Sequence, residues 1–460
     1  MPNFEKNNRI LDISGKLINE GILITVKRKN YQIKYPAIIW QQTPDQLKKI
    51  LLENLTFAET HWLPLLLSKE KVFYNTPVPL LEPFLFKNQL YDLLYCETVD
   101  KVSQLSYLKK FYNLEFIFSR EEATLPNLSL TYENSNTAVI PFTFGKESLA
   151  TLALCLELGI KSILVYCQEP AHPYEERYKL HELKRIEKKY KIKTYFIRHD
   201  PGLFRYGKAF NLEKETDIGW GTQITLLAIL SLPFVYYHKA RYILFGNEYS
   251  NNEMTKKNGW KIFSSIDQTG NIVPQQSSLI RLLTSGQCEV KSSLDPLEEF
   301  NIFYLLHHRY PELGRYQFSC SAEKPLKGGR QWCHDCYKCA RMYLFAKALG
   351  FSVADLGFKK DLLADLRWWN HYFGKEIKTG PVSELDFAFY LLYLKGDKSV
   401  CVKKFRKDKL PRLKNWSWHF KNYTTIKPTI NLPEKYNMKM IEIFQDEMKN
   451  FKKLISQYGK

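Results

Sequence analysis

Between Thr137 and Gly246 the chain alternates short apolar runs with stretches of helical spacing, and this rhythm limits the folds open to it more than any other feature. Ala138 to Phe144 is a compact apolar run, followed by the turn Gly145-Lys146-Glu147-Ser148. Leu149 to Leu158 then has helical spacing and ends at Gly159. Ser162 to Cys167 reads as a second strand, Tyr174 to Tyr190 as a charged helix and Lys193 to Arg198 as a third strand. Thr222 to Tyr237 reads as one apolar helix and Arg241 to Gly246 as a fourth strand. Strands separated by helices of this length must return in the same direction, which predicts βαβ units in a doubly wound parallel sheet with helices on both faces. Ligands of such sheets sit beyond the carboxyl ends of the strands. The polar clusters Thr143 to Ser148, Gln168-Glu169, His199-Asp200 and Asn247-Glu248 fall there.

The flanks read differently. At 460 residues the chain exceeds the size at which one core usually stops growing. We therefore expect an N-terminal α+β domain over 1–133, an α/β domain over 134–349 that includes the cysteine cluster and a mainly helical region over 350–460. Period-two patches such as Ile22, Ile24, Val26 mark strands near the start, and Pro44 to Leu67 reads as helical. Ile441, Phe444, Met448, Phe451 and Ile455 recur at spacings of three and four, the stripe of a helix packed on a core. Met1 to Arg9 is polar, and the longest apolar stretch, Ile224 to Tyr237, is too short to span a bilayer. A soluble, cytoplasmic protein without a membrane partner is expected, with its oligomeric state left open.

Nine cysteines make an odd count, which argues against a closed disulfide framework. Cys320 is followed after twelve residues by Cys333-His-Asp-Cys336-Tyr-Lys-Cys339. A CxxCxxC turn brings three thiolates to one point and a preceding loop can add the fourth, the ligand set of a closed structural zinc site. An iron–sulfur cluster is the alternative that this spacing leaves open. Cys96, Cys155, Cys167, Cys288 and Cys401 read as buried or incidental thiols.

Phe142-Thr143-Phe144-Gly145-Lys146-Glu147-Ser148 leaves a strand and enters a helix. A hydroxyl, a glycine and open amides at a helix N-terminus can cradle phosphate, with Lys146 as countercharge and Ser148 as a second hydroxyl. Walker A spacing is absent, and a tight connection alone would also use such a glycine. The net charge of +19 suits a polyanionic partner. Its basic residues are spread along the chain with no base-reading motif, so nucleic acid is the less favoured partner and a nucleotide-linked anionic small molecule the favoured one.

Together these motifs resemble the PP-loop (adenine nucleotide alpha-hydrolase-like) family, whose Ser-Gly-Gly-x-Asp-Ser loop is similar to Thr143-Phe144-Gly145-Lys146-Glu147-Ser148. Members that make 7-cyano-7-deazaguanine also carry a Cys…CxxCxxC zinc site. A nearer resemblance is to the ATP-dependent UDP-N-acetylmuramoyl-L-alanyl-L-glutamate epimerases. It lies in the Gly-Lys-acidic-Ser loop, in Asn247-Glu248-Tyr249-Ser250, in Ser319-Cys320 with Trp332-Cys333-His334-Asp335-Cys336-Tyr337-Lys338-Cys339, and in Asn370-His371, spanning roughly residues 137 to 375. The resemblance implies a PP-loop (HUP-like) fold, with ATP and Mg²⁺ used to adenylate a carboxylate and structural Zn²⁺ on the four cysteines. It implies that Thr143, Gly145, Lys146, Ser148, Asn247 and Ser250 hold the nucleotide and substrate side, and that Lys146, Glu147 and Glu248 serve the chemistry. The proton-abstracting base is open among His199, Asp200, Glu248 and His371. Gln275, Gln276 and Ser277, after Pro274, read as an ordinary turn that could face the site. The sequence departs from the loop pattern where Phe144 takes a glycine position, Glu147 an aspartate and Thr143 a serine. A deazaguanine-type ligase, acting on a tRNA or nucleobase or in phage defence, and a non-catalytic nucleotide-binding relative are the alternatives.

Overall fold

A computed structural model describes residues 9–92, 100–127, 135–171, 173–211, 216, 218–257, 260–263, 265–320, 331–374 and 382–458. Met1 to Asn8, Cys96 and the boundary expected at 133/134 lie outside the described residues. Twelve strands are described: β1 (Ile10–Ile18), β2 (Gly21–Val26), β3 (Lys29–Lys34), β4 (Lys71–Tyr74), β5 (Glu115–Ile117), β6 (Thr137–Pro141), β7 (Lys161–Gln168), β8 (Lys193–His199), β9 (Tyr242–Phe245), β10 (Met254–Lys257), β11 (Trp260–Phe263) and β12 (Glu289–Ser292). β10 and β11 pair as a small hairpin. The other ten form one sheet in the order β12-β9-β6-β7-β8-β3-β2-β1-β4-β5.

The sheet is mixed and mostly parallel, not parallel throughout as the alternation between 137 and 246 suggests. From β12 to β8 every neighbour is parallel. At β8 the direction reverses: β3 pairs with it antiparallel, Ile33 opposite His199, and β2 and β1 continue antiparallel. Two-residue connections between β1, β2 and β3 permit only antiparallel returns, whereas helical crossovers carry the chain between parallel strands. The N-terminal strands thus extend the same sheet across the boundary read from the sequence.

Within the parallel part the chain order is β6, β7, β8 on one side and β9, β12 on the other. The direction of winding therefore reverses between β6 and β9. Period-two geometry sends alternate residues of these strands to opposite faces. Ala138, Ile140, Leu164, Tyr166 and Leu244 join one core with the helices Lys146–Glu157, Glu299–His308, Tyr337–Leu349, Val382–Leu394 and Asn437–Ser456. Val139, Ile163, Val165, Ile243 and Phe245 join the other, with Asp45–Thr60, Gln223–Leu230, Leu232–His238 and Val273–Leu283. Both faces are covered, as the apolar strands demand. The stripe on Asn437–Ser456 buries Phe444, Met448, Phe451 and Ile455 in the first core, so the C-terminal helices share the core of the sheet.

Two local differences have simple causes. The apolar run 222–237 is two helices, because Pro233 has no N–H to continue the ladder and Ser231 Oγ instead bonds Leu227 O at 2.7 Å. Gln275, Gln276 and Ser277 lie in the helix Val273–Leu283, where Pro274 occupies the first turn it favours. Among the described residues, no helix is long and apolar enough to cross a membrane.

Candidate functional site

β6 ends at Pro141, and the chain turns through Thr143, Phe144 and Gly145 into the helix Lys146–Glu157. Phe144 adopts φ +63°, the left-handed conformation that a glycine would take without strain. Its ring is fully buried against Phe142 (centroids 4.8 Å apart), and its carbonyl accepts the Phe318 N–H at 2.8 Å. The side chain that departs from the PP-loop pattern is therefore spent on the core and leaves the turn's outer face clear. Inside the turn Ser148 Oγ accepts from the Thr143 N–H at 3.3 Å and donates to Gly145 O at 3.2 Å. Thr143 is exposed and Gly145 caps the helix with its backbone. The first-turn amides have no partner inside the helix and lie at the positive end of its dipole.

β9 ends beside this turn. A Cβ on Gly246 would stand 2.8 Å from both Glu147 O and Thr151 Oγ1, so only glycine lets the strand pass the helix start so closely. This approach delivers Asn247 and Glu248 to the turn. Asn247 is buried; its carbonyl accepts from Ser292 Oγ at 3.1 Å, and its Nδ2 has no hydrogen-bond partner among the described residues. Lys146 is also buried, and its Nζ lies 3.3 Å from Glu248 Oε2, 2.9 Å from Glu299 Oε1 and in contact with Glu147 Oε1. Burial pushes the Lys146 ammonium down, but the three carboxylates outweigh it and hold its pKa well above the usual lysine range. Burial pushes Glu248 up to about 8 against the pull of Lys146. Burial acts the same way on Glu299, where Arg341 and Lys146 overcome it and hold the carboxyl at about 2.

Glu299 opens the helix Glu299–His308 and receives Arg341, whose Nε lies 2.5 Å from Glu299 Oε2. Arg341 also faces Glu384 at 3.6 Å. The Glu384 carboxyl accepts the N–H groups of Glu299 (2.9 Å) and Phe300 (3.1 Å) at the N-terminus of that helix, while burial and the neighbouring Glu299 hold its pKa well above the usual carboxylate range. Ser250 is turned to this inner network: its Oγ contacts Glu384 Oε1, lies 3.0 Å from Glu298 Oε2 and accepts the Glu299 N–H at 2.8 Å. Glu298, Glu299, Arg341 and Glu384 carried no signal in the sequence beyond acidic residues at helix starts. Glu147, Glu248 and Glu299 place their oxygens within 4.8 Å of one another, a set of hard donors of the kind a divalent cation such as Mg²⁺ takes.

The other expected residues lie elsewhere. His199, at the end of β8, is buried with Nε2 2.5 Å from Glu59 Oε1 and Nδ1 3.6 Å from Glu169 Oε1. Glu169 in turn binds Arg205. Asp200 accepts from Arg198 Nε at 2.9 Å and from the Gln32 N–H at 3.1 Å. Asn370 and His371 are exposed; His371 Nδ1 is 2.8 Å from Arg367 O, and the adjoining Tyr372 hydroxyl donates to Asp335 O at 3.3 Å, beside the cysteine turn. Gln276 is held by Thr225 Oγ1 and Asp267 O, and Gln275 is exposed.

Cys320, Cys333, Cys336 and Cys339 bring their sulfurs within 4.8 Å of one another, with Cys333 to Cys339 at 3.6 Å and Cys339 to Cys320 at 3.8 Å. A tetrahedral ion with metal–sulfur bonds of about 2.3 Å needs sulfurs about 3.8 Å apart. The N–H groups of Cys333, Asp335 and Cys339 point at Sγ of Cys320, Cys333 and Cys336 at 3.3 to 3.4 Å, as thiolate ligands require. The cluster can hold a metal ion such as zinc. His334 is no ligand, because its Nε2 accepts the Lys359 N–H at 3.0 Å. Cys155, Cys288 and Cys401 are buried thiols and Cys167 is half-buried.

Fold and site together define an α/β protein with a large mixed sheet, a cation-and-carboxylate cluster at the winding reversal and a four-cysteine metal-binding turn. No protein-family model matches the sequence, and no curated protein matches it.

Proposed function

We propose that this protein is an ATP-dependent, AMP-forming enzyme of the PP-loop class that inverts the terminal L-glutamate of UDP-N-acetylmuramoyl-L-alanyl-L-glutamate, a precursor of peptidoglycan. One observation carries the reading: Lys146 and three carboxylates meet at the β6/β9 reversal, at the start of the helix Lys146–Glu157. This is the place where a doubly wound sheet binds its ligand. The backbone amides after Gly145, the Thr143 hydroxyl and the Lys146 ammonium would hold phosphate, and Glu147 with Glu299 would hold Mg²⁺.

An ionised carboxylate resists loss of its α-proton; ATP, when bound, would supply the AMP group that masks this charge, with pyrophosphate leaving, and later hydrolysis of the mixed anhydride would release AMP. The chain's part is then to orient the carboxylate, take the α-proton on one face with a side-chain base and return a proton from another group on the opposite face. Of the four candidate bases, His199 and Asp200 are committed to internal partners and His371 stands beside the cysteine turn. Glu248 is the one within the crevice, and we assign it the proton.

The test is incubation of the metal-loaded protein with ATP, Mg²⁺ and the UDP-linked dipeptide, followed by hydrolysis and chiral analysis of the glutamate. D-Glutamate with stoichiometric AMP is expected; absence of both overturns the reading. AMP formed only with a carboxydeazaguanine would reassign the protein as a ligase, and metal content without any nucleotide turnover would make it a non-catalytic relative.

A further inference from the structure

Among the described residues, four cations, Arg185, Lys189, Arg315 and Lys359, line a groove of about 440 Å³ between the helix Pro173–Tyr190 and the cysteine turn. Tyr178, Glu182, Arg185 and Lys189 lie at spacings of four, three and four, one face of that helix. Arg315 and Tyr316 form the opposite side, and Lys359 closes the end. Four cations therefore face two carboxylates, Glu182 and Glu312. Glu182 is buried and committed to Arg185 at 3.0 Å. Glu312 is exposed and bridges Lys189 (2.8 Å) and Arg315 (3.4 Å), pairs weak enough in water for a stronger anion to replace.

The aromatic content is specific. Arg185 and Lys189 lie 5.8 and 5.9 Å over the Tyr316 ring, and Tyr178 stacks on Phe318 at 4.8 Å. Among the described residues no aliphatic side chain lines the groove, and its aromatic lining is tyrosine. Cations interleaved with tyrosines fit a strand of phosphates with unstacked bases. The cysteine turn braces one wall: Gln331 Nε2 donates to Arg315 O at 2.6 Å, and the Lys359 N–H donates to His334 between two of the metal-binding cysteines.

We infer that this groove binds single-stranded nucleic acid, with Arg315 and Lys359 on phosphates and Tyr316 against a base. The groove shares no residue with the crevice at Lys146, so the inference stands apart from the proposed reaction. The experiment is fluorescence anisotropy of a labelled 12-nucleotide single-stranded RNA with the metal-loaded full chain, without ATP, across a KCl series. For Arg315→Ala/Lys359→Ala we expect the slope of log affinity against log salt to fall by about 1.4, from roughly 0.7 per lost phosphate contact. Tyr316→Ser should weaken binding roughly tenfold at fixed salt. Lys439→Ala/Lys449→Ala, which removes two charges from the exposed side of the C-terminal helix, should leave slope and affinity unchanged. All variants are checked for metal content and melting temperature. Three results would overturn the inference: no binding at low salt, an equal loss in the control variant, or duplex RNA bound as tightly as single strands with no effect of Tyr316→Ser.

Discussion

Lys146 Nζ, at the start of the helix that follows β6, lies 2.9 Å from Glu299 Oε1 at the start of another helix, and both side chains are less than a tenth exposed. The loop lysine is therefore part of the interior as well as of the crevice. Removing it leaves buried carboxylates facing one another, which costs about 3–5 kcal/mol when they cannot take up protons. We expect Lys146→Ala to lower the melting temperature as well as nucleotide affinity. Mg²⁺ should raise the variant's melting temperature more than that of the parent, since a divalent ion can occupy the carboxylate set. Equal shifts by differential scanning calorimetry would show that these carboxylates do not bind the ion.

His199 gives a pH signature. Burial pushes its pKa down, but Glu59 outweighs it and holds the imidazolium well above 6.5. A raised pKa stabilises the fold fully below the unfolded value of about 6.5 and loses that contribution as pH rises through the folded value. For Glu169 burial acts upward, but Arg205 and His199 hold it at about 2, so its contribution is complete above 4.5 and is lost as pH falls toward 2. The stability gap between the parent and His199→Gln should be largest near pH 5–6 and narrow as pH rises well above 6.5, read from urea midpoints. A gap that widens with pH would contradict the pairing with Glu59.

At the cysteine turn, Cys336 caps the helix Tyr337–Leu349 through the Cys339 N–H and also supplies a sulfur to the cluster. Cys336→Ser should lose the metal and several degrees of melting temperature, because ligand loss is also loss of folding energy. Unchanged metal content by plasma mass spectrometry would remove Cys336 from the ligand set.

Phe144→Gly separates two opposing effects. It relieves the left-handed backbone, worth about 1–2 kcal/mol, but empties a fully buried site whose loss costs about 3–5 kcal/mol. We expect a net loss of about 2 kcal/mol or more with nucleotide affinity unchanged. A stabilised variant would mean that strain dominates at this turn.

Much of the framework is legible from spacing. The runs around Ile140, Val165 and Ile197, the helix beginning near Lys146 and the stripe through Phe444 and Phe451 follow from periods of two and 3.6. β12 escaped notice because Glu289 to Ser292 is a four-residue strand with no apolar run. Ser250, read as a ligand to the nucleotide or substrate side, points inward to Glu384, a partner 134 positions later in the chain.

The sequence by itself determined the strand–helix rhythm, the strand-to-helix turn at Gly145 and the clustering of four thiols, because each depends on contacts within a few turns of chain. Tertiary structure alone decided that Glu248 and Glu299 close on Lys146, that Glu59 reaches His199 140 positions away, and that Arg185, Arg315 and Lys359 share a groove. The physical reason is that charge pairing in an interior is set by which strand ends and helix starts the sheet brings together. No local period records that choice, and burial then fixes how strongly each pair acts.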